Sequence, residues 1–171
     1  LIEPCSNPLE KVATEIKIDF AALVPLQVET ILNSPQRSRL ETINSLLIGG
    51  APLNNKTITE LQSLSCQCYA TYGMTETLSH VALQKINGSD SQKHFTTLTG
   101  IEVKKDERGC LVILASHLGK EPIVTNDLVE LLTATQFVWL GRVDNVINTG
   151  GVKVIPEKVE TVIHSVFTQL R

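Results

Sequence analysis

The sequence predicts an α/β fold whose character changes near residue 80. Three observations carry that expectation. Between Phe20 and Ala70, aliphatic runs of strand length alternate with stretches of helical spacing, the pattern of a parallel sheet built from strand–helix–strand units. Between Val81 and Leu140, short β-rich runs follow one another with no helix between them, which suits an antiparallel sheet or a small barrel. Beyond a polar run at 141–145 come a glycine-turned hairpin and one amphipathic helix.

Taken in order, residues 1–14 carry Pro4 and Pro8 with mixed polarity and give no clear element. Phe20–Val24 reads as a short strand. Pro25 then opens a helix, since its missing N–H is one that a first helical turn leaves unbonded anyway. Val28, Ile31 and Leu32 share one face of it. A second short helix is expected around Pro35–Ile43, and Ser45–Ile48 is an aliphatic run of buried-strand type. Gly49–Pro52 punctuates it. Asn55–Leu64 is a helix with Ile58 and Leu61 inward, and Cys66–Ala70 is the next strand. Then Val81–Lys85, Ile101–Lys105, Leu111–Leu114, Val129–Thr133 and Phe137–Leu140 are strands, broken by NGSD, DERG and LGKEP. Gly141–Asn145 reads as a linker. Val146–Ile155 is a hairpin turning at Gly150-Gly151. Pro156 opens a last helix striped by Val159, Val162, Ile163, Val166 and Leu170.

The chain has 171 residues, 42% of them hydrophobic and 19% charged, enough for one medium domain or one and a fraction. A net charge of −3 offers no basic field for nucleic acid or an anionic membrane surface. No apolar run approaches the ~20 residues that span a bilayer, and no signal peptide is visible. Cys5, Cys66, Cys68 and Cys110 match no zinc or redox spacing and are read as reduced thiols of a cytoplasmic protein. Aromatic residues make up only 4%, so the core must be mostly aliphatic.

The stretch Tyr69–His80, YATYGMTETLSH, carries the most chemistry. An apolar run ends in a turn at Gly73 and then offers Thr75, Glu76 and Thr77. The hydroxyls can hydrogen-bond phosphate oxygens, the carboxylate can hold a Mg²⁺ shared with them, and the glycine admits a base close to the backbone. An ordinary polar turn uses the same residue types.

LLIGGAPL at 46–53, YGMTET at 72–77, TNDL at 125–128 and GRVDNVINTGGVKVIPEKVE at 141–160 occur in one order. Together they resemble the successive core motifs of the adenylate-forming superfamily: acyl-CoA synthetases, peptide-synthetase adenylation domains and luciferases. The resemblance covers roughly residues 20–165. Within it, the short connections and TETLSHVALQKING are most similar to the o-succinylbenzoate–CoA ligases of menaquinone synthesis. The resemblance implies that residues 1–141 are the C-terminal part of a large AMP-binding domain, α/β to about 80 and a β-rich subdomain over 81–141. Residues 142–145 would be a hinge, and 146–171 the start of a small α+β lid domain.

The same resemblance implies an activity. ATP and a carboxylic acid form an acyl-adenylate, and coenzyme A then displaces AMP, with Mg²⁺ as the metal. Gly50, Ala51 and Pro52 would wall the adenine on one side, and Tyr72, Gly73 and Met74 on the other. Thr75 would contact the α-phosphate and Glu76 would hold the metal. Asp127 would accept from both ribose hydroxyls, as a two-oxygen carboxylate can, with Arg142 as a second contact. Where the family usually has glycine this chain has Asn126, which tolerates left-handed backbone. Asp144 would be the hinge residue, and Gly150, Gly151 and Lys153 the hairpin of the thioester step. Ser79 and His80 would face the acyl pocket, an imidazole being a reasonable partner for a second carboxylate.

Plainer alternatives accompany each motif: Gly49–Pro52 as a strand-to-helix turn, Asp127 as a surface turn residue, His80 as a lone surface histidine. At the level of function, two other readings stand beside the ligase. One is an amino- or aryl-acid adenylation domain that loads a carrier protein; the other is an inert AMP-binding fragment. The family's phosphate loop lies upstream of these motifs and its adenylation lysine downstream, so the 171 residues are expected to be part of a longer enzyme and inactive alone. The expected partners are small molecules, with no nucleic acid and no membrane, and a homodimer is left open.

Overall fold

The computed structural model describes residues 5–119, 121–150 and 152–166. They fall into two compact units, one of residues 1–73 with 84–92 and one of 74–83 with 93–171.

In the first unit a 3-10 turn at Pro8–Lys11 is followed by β1 (Phe20–Leu23), α1 (Pro25–Leu32), α2 (Arg37–Leu40), β2 (Ser45–Ile48), α3 (Asn55–Gln62) and β3 (Gln67–Gly73). β1 pairs in parallel with β2, and β2 with β3. The alternation of strand and helix thus yields the parallel sheet it predicts. Val28, Ile31, Leu40, Leu46, Ile48 and Leu61 form a fully buried aliphatic core.

Three details differ from the sequence reading. On α3 it is Thr57, 2% exposed, that lies inward with Leu61, while Ile58 is half-buried. Thr57 Oγ1 donates to Glu29 Oε1 at 3.1 Å, so a satisfied hydroxyl takes the place expected for an aliphatic chain. The strand expected to end at Ala70 runs on through Gly73. Asn87, read only as part of a turn, is 4% exposed. It accepts from Cys68 N (2.9 Å) and donates to the carbonyls of Leu64 (3.0 Å) and Cys66 (2.6 Å).

The second unit is antiparallel. It holds the first four residues of β4 (His80–Lys85), then β5 (Phe95–Thr97), β6 (Ile101–Lys105), β7 (Cys110–Ala115), β8 (Ile123–Thr133) and β9 (Gln136–Arg142). The spatial order is β4-β5-β9-β8-β7-β6. Thr97 Oγ1 donates to Ile101 O (2.7 Å), and Val103 N to Ala134 O (2.8 Å) in the β8–β9 turn. These bonds tie the start of β6 to the end of β5, and its middle to the β8–β9 turn.

β5 escapes the sequence reading because three residues carry no period; its Phe95 stacks on Phe137 at 5.5 Å. β8 begins six residues earlier than expected. Asn and Asp disfavour strands in isolation, but pairing on both sides overrides that in TNDL. Asn126 therefore needs no left-handed backbone; among the described non-glycine residues only Leu78 has a positive φ.

The linker expected at 141–145 is also more ordered. Arg142 ends β9, and Val143–Asn145 forms a 3-10 turn. Then come β10 (Ile147–Thr149) and β11 (Val152–Val154), an antiparallel hairpin, and α4 (Pro156–Val166). Val159, Val162, Ile163 and Val166 of the predicted stripe are exposed. Leu170 lies outside the described residues, as does Gly151.

Candidate functional site

Gly49–Pro52 follows β2, and Tyr72–Gly73 ends β3, so in the first unit both motifs sit at the carboxyl ends of neighbouring parallel strands. That is where open α/β sheets bind ligands. A side chain at Gly49 would displace Thr71, whose Oγ1 stands where the added Cβ would lie. Gly50, at φ +92°, adopts a backbone that disfavours other residues. Ala51 and Pro52 are exposed. The loop is thus flat and poor in side chains. Its far end is fixed by Asn54, whose Oδ1 caps α3 by accepting from Thr57 N at 2.8 Å. Glu29 on α1 in turn accepts from Asn54 Nδ2 at 2.5 Å.

In the second unit, Met74 leads into a 3-10 turn at Thr75–Thr77. Thr77 is the anchor. It is 3% exposed, and its Oγ1 accepts from Met74 N (2.9 Å) and donates to Ser79 O (2.7 Å). Thr75 and Glu76 are left exposed, and among the described residues the Glu76 carboxylate has no hydrogen-bond or ion-pair partner. Leu78 follows at φ 62° and ψ −35°, 86% exposed, with Ser79 N bonded to Thr77 O at 2.7 Å. This is a γ-turn of the positive-φ kind, rare and strained. Such a position costs about 1–3 kcal/mol and persists where the surroundings enforce it. Ser79 Oγ and His80 Nδ1 are 3.2 Å apart.

The best-formed polar site lies at the β8–β9 end of the same unit. Thr125, Asp127 and Val129 point inward along β8, and Asp127 is 7% exposed. Asp127 stands opposite Arg142 on β9. The pairing slips between Leu128 and Val129, so that Leu128 faces Gly141 and Val129 faces Trp139. A bulge of this kind re-aims side chains. Trp139 Nε1 donates to Asp127 Oδ1 at 3.1 Å, and Arg142 Nη1 is 3.7 Å from the same oxygen. Arg142 Nη2 also reaches Asp144 Oδ2 at 3.0 Å. Asn126 Nδ2 donates to Asp144 at 3.1 and 3.3 Å. Gly141 has to be glycine here, since an added Cβ would lie 2.5 Å from Glu157 Oε2 and 2.8 Å from Ile155 Cγ2.

The sequence-predicted residues therefore fall into three local groups: Gly50–Pro52 with Tyr72–Gly73, Met74–Glu76 with Ser79–His80, and Asp127 with Arg142 and Asp144. Gly150 has the left-handed φ of +54° that a hairpin turn needs. Gly151 is not described, nor is the side chain of Lys153. Trp139 and Arg108 escaped sequence reasoning; their roles depend on cross-strand register, which no local pattern encodes. Burial pushes the Cys110 thiol up, while the hydrogen bond between Cys66 and Cys68 raises Cys68 and lowers Cys66. No group of three or more metal-ligating side chains occurs among the described residues, and no helix among them is long and apolar enough to cross a membrane. An open hollow of about 890 Å³ bordered by Thr96, Gly100, Ser116 and Glu121 contains none of the predicted residues.

The chain is 25% identical to the 2-succinylbenzoate–CoA ligase of Lactococcus lactis over 93% of its own length and 38% of the relative's. It thus spans about two fifths of the curated relatives it matches. A crystal structure of an acyl-CoA synthetase (AMP-forming)/AMP-acid ligase II-like protein from Dyadobacter fermentans superposes with a TM-score of 0.76. That protein is 41% identical, over 98% of this chain and 48% of the other. MenE from E. coli with bound OSB-AMS gives a TM-score of 0.68 at 25% identity, over 85% of this chain and 35% of that one. The family model described as AMP-binding enzyme matches residues 3–113, well over half of the sequence, and this chain belongs to that family.

Proposed function

We propose that this chain is part of an ATP-dependent acid–CoA ligase that works through an acyl-adenylate, and that its acid is o-succinylbenzoate. The observation that carries the reading is the Asp127–Arg142 pair. A buried carboxylate faces a guanidinium on the neighbouring strand, in the TNDL and GRVD runs to which the resemblance gives the ribose. The curated relatives named 2-succinylbenzoate–CoA ligase supply the acid. The narrower pathway, menaquinone synthesis, and a cytosolic location belong to the same proposal.

A carboxylate is a poor electrophile. Its oxygen attacks the α-phosphorus of ATP and pyrophosphate leaves, giving a mixed anhydride. The thiolate of coenzyme A then attacks the acyl carbon and AMP leaves. In the first unit, Gly50, Ala51 and Pro52, with Tyr72 and Gly73, take the adenine. In the second, Met74 is a further nucleotide contact, Asp127 accepts from the ribose hydroxyls, and Arg142 supports it. Thr75 donates to an α-phosphate oxygen as charge builds there. Glu76 fits a magnesium ion: an exposed carboxylate with no partner among the described residues, beside a hydroxyl, is the hard-oxygen donor set that Mg²⁺ shares with phosphates. The ion would neutralise charge developing on phosphate oxygens. Ser79 and His80 line the acid pocket. Residues 142–145 act as the hinge at Asp144 between a large domain (1–141) and a small one (from 146), and Gly150, Gly151 and Lys153 serve the thioester step.

The test is pyrophosphate exchange into ATP by the full-length enzyme, with and without o-succinylbenzoate. Acid-dependent exchange, followed by AMP release on adding coenzyme A, is the expected result. Exchange that ignores the acid would refute it.

A further inference from the structure

Asp144, the proposed hinge residue, is held from two sides. Arg142 Nη2 reaches Oδ2 at 3.0 Å, and Asn126 Nδ2 lies 3.1 Å from Oδ2 and 3.3 Å from Oδ1. Asn126 is itself oriented. Its Oδ1 accepts from Arg108 Nη1 at 3.0 Å, which turns the donor edge of the amide toward Asp144. Arg108 has little freedom of its own. Its Nε is 2.8 Å from Asp106 Oδ2, and its Nη2 donates to Thr125 O at 3.0 Å. Asp106 is fixed in turn, since its Oδ1 accepts from both Arg108 N and Cys110 N at 2.9 Å.

A continuous set of hydrogen bonds thus runs from the β6–β7 turn through Arg108 and Asn126 to Asp144. It starts from a rigid tight turn with Gly109 at φ +83°, and it ends on a three-residue 3-10 segment with no buried residue. Such a segment gains most of its order from side-chain ties. Arg142 adds a second link, because its guanidinium lies between Asp127 and Asp144.

We infer that Asn126, oriented by Arg108, is a latch that restrains the 143–145 segment, and so a positioning residue for whichever half-reaction needs that segment to turn. The inference rests on the ligase reading for its catalytic consequence but not for the restraint itself. A latch changes how two conformations are populated and does not touch the reacting atoms. Loosening it should therefore alter the ratio of the two half-reaction rates, which a general loss of folding would not do.

The experiment compares the full-length enzyme with Asn126→Ala and Arg108→Gln. Amide hydrogen exchange at 144–146 is followed alongside the adenylation and thioester half-reactions. The latch predicts about two- to tenfold faster exchange at Asp144, Asn145 and Val146 in both variants. It also predicts unchanged exchange at Ile113 in β7, a changed half-reaction ratio and an unchanged KM for ATP. Unaltered exchange at 144–146 would overturn the latch, and so would faster exchange with both half-reactions scaled equally. If the wild-type enzyme runs neither half-reaction, the ligase reading fails by itself, and the exchange data still decide whether Asn126 restrains the segment.

Discussion

At the scale of single residues, Asp127 combines burial with two cationic or N–H neighbours, Trp139 and Arg142. In the full-length enzyme Asp127→Ala should weaken ATP binding at least ~tenfold, because hydrogen bonds to a charged group are worth roughly 1.5–3 kcal/mol each. Calorimetry showing unchanged affinity would make Asp127 a structural residue only. Trp139→Phe keeps the ring and removes the N–H, so a smaller loss of about two- to tenfold is expected. The two changes should be non-additive, since Trp139 acts through Asp127; additive losses would separate them. Asn87 makes a prediction of stability instead. Replacing it with Ala leaves Cys68 N and the carbonyls of Leu64 and Cys66 buried without their partner. At about 1–3 kcal/mol per unsatisfied group the loss should be several kcal/mol, read as a lowered urea midpoint.

At the scale of elements, the loop after β2 depends on Gly49 lying against Thr71 of β3. Gly49→Ala should destabilise by about 1–3 kcal/mol, the usual cost of overpacking. Adding Thr71→Ala, which removes the colliding oxygen, should recover most of it; a double variant no more stable than the single one would contradict the contact. The β6–β7 turn offers a pH test. Asp106 is held below the ordinary carboxylate range, first by the Cys110 N–H and then by Arg108. Because the folded value is the lower one, this contribution is present above the unfolded Asp value and is lost as pH falls through the folded value. Exchange at Cys110 N should accelerate in that acid window and not in Asp106→Asn.

These elements also show what a sequence can convey. Ser45–Ile48 and Ile101–Lys105 appear where the aliphatic runs end, because local composition and burial agree there. The Pro25 and Pro156 helix starts are likewise local. β5 and the first half of β8 were illegible, since a three-residue strand and an Asn-Asp pair acquire their structure from neighbours on either side. Asp127 and Arg142 could be named from motifs, while Trp139, Arg108 and Asn87 could not, since each has a defining partner 12 to 26 residues away: Asp127, Asn126 and Leu61.

At the scale of the molecule, the parallel α/β unit supplies flat glycine loops at strand ends, and the antiparallel unit supplies hydroxyls and carboxylates on a braced framework. Substrate choice should then rest on the acid. A pocket group left without its partner costs about 1–3 kcal/mol, so an enzyme that holds a second carboxylate should reject acids lacking one. The most direct measurement is kcat/KM of the full-length enzyme for o-succinylbenzoate, benzoate, a medium-chain fatty acid and several amino acids, with coenzyme A as acceptor. The account predicts that o-succinylbenzoate leads by at least ~tenfold and that His80→Ala raises its KM while leaving that for ATP unchanged. A fatty acid or an amino acid at the head of the series would contradict it.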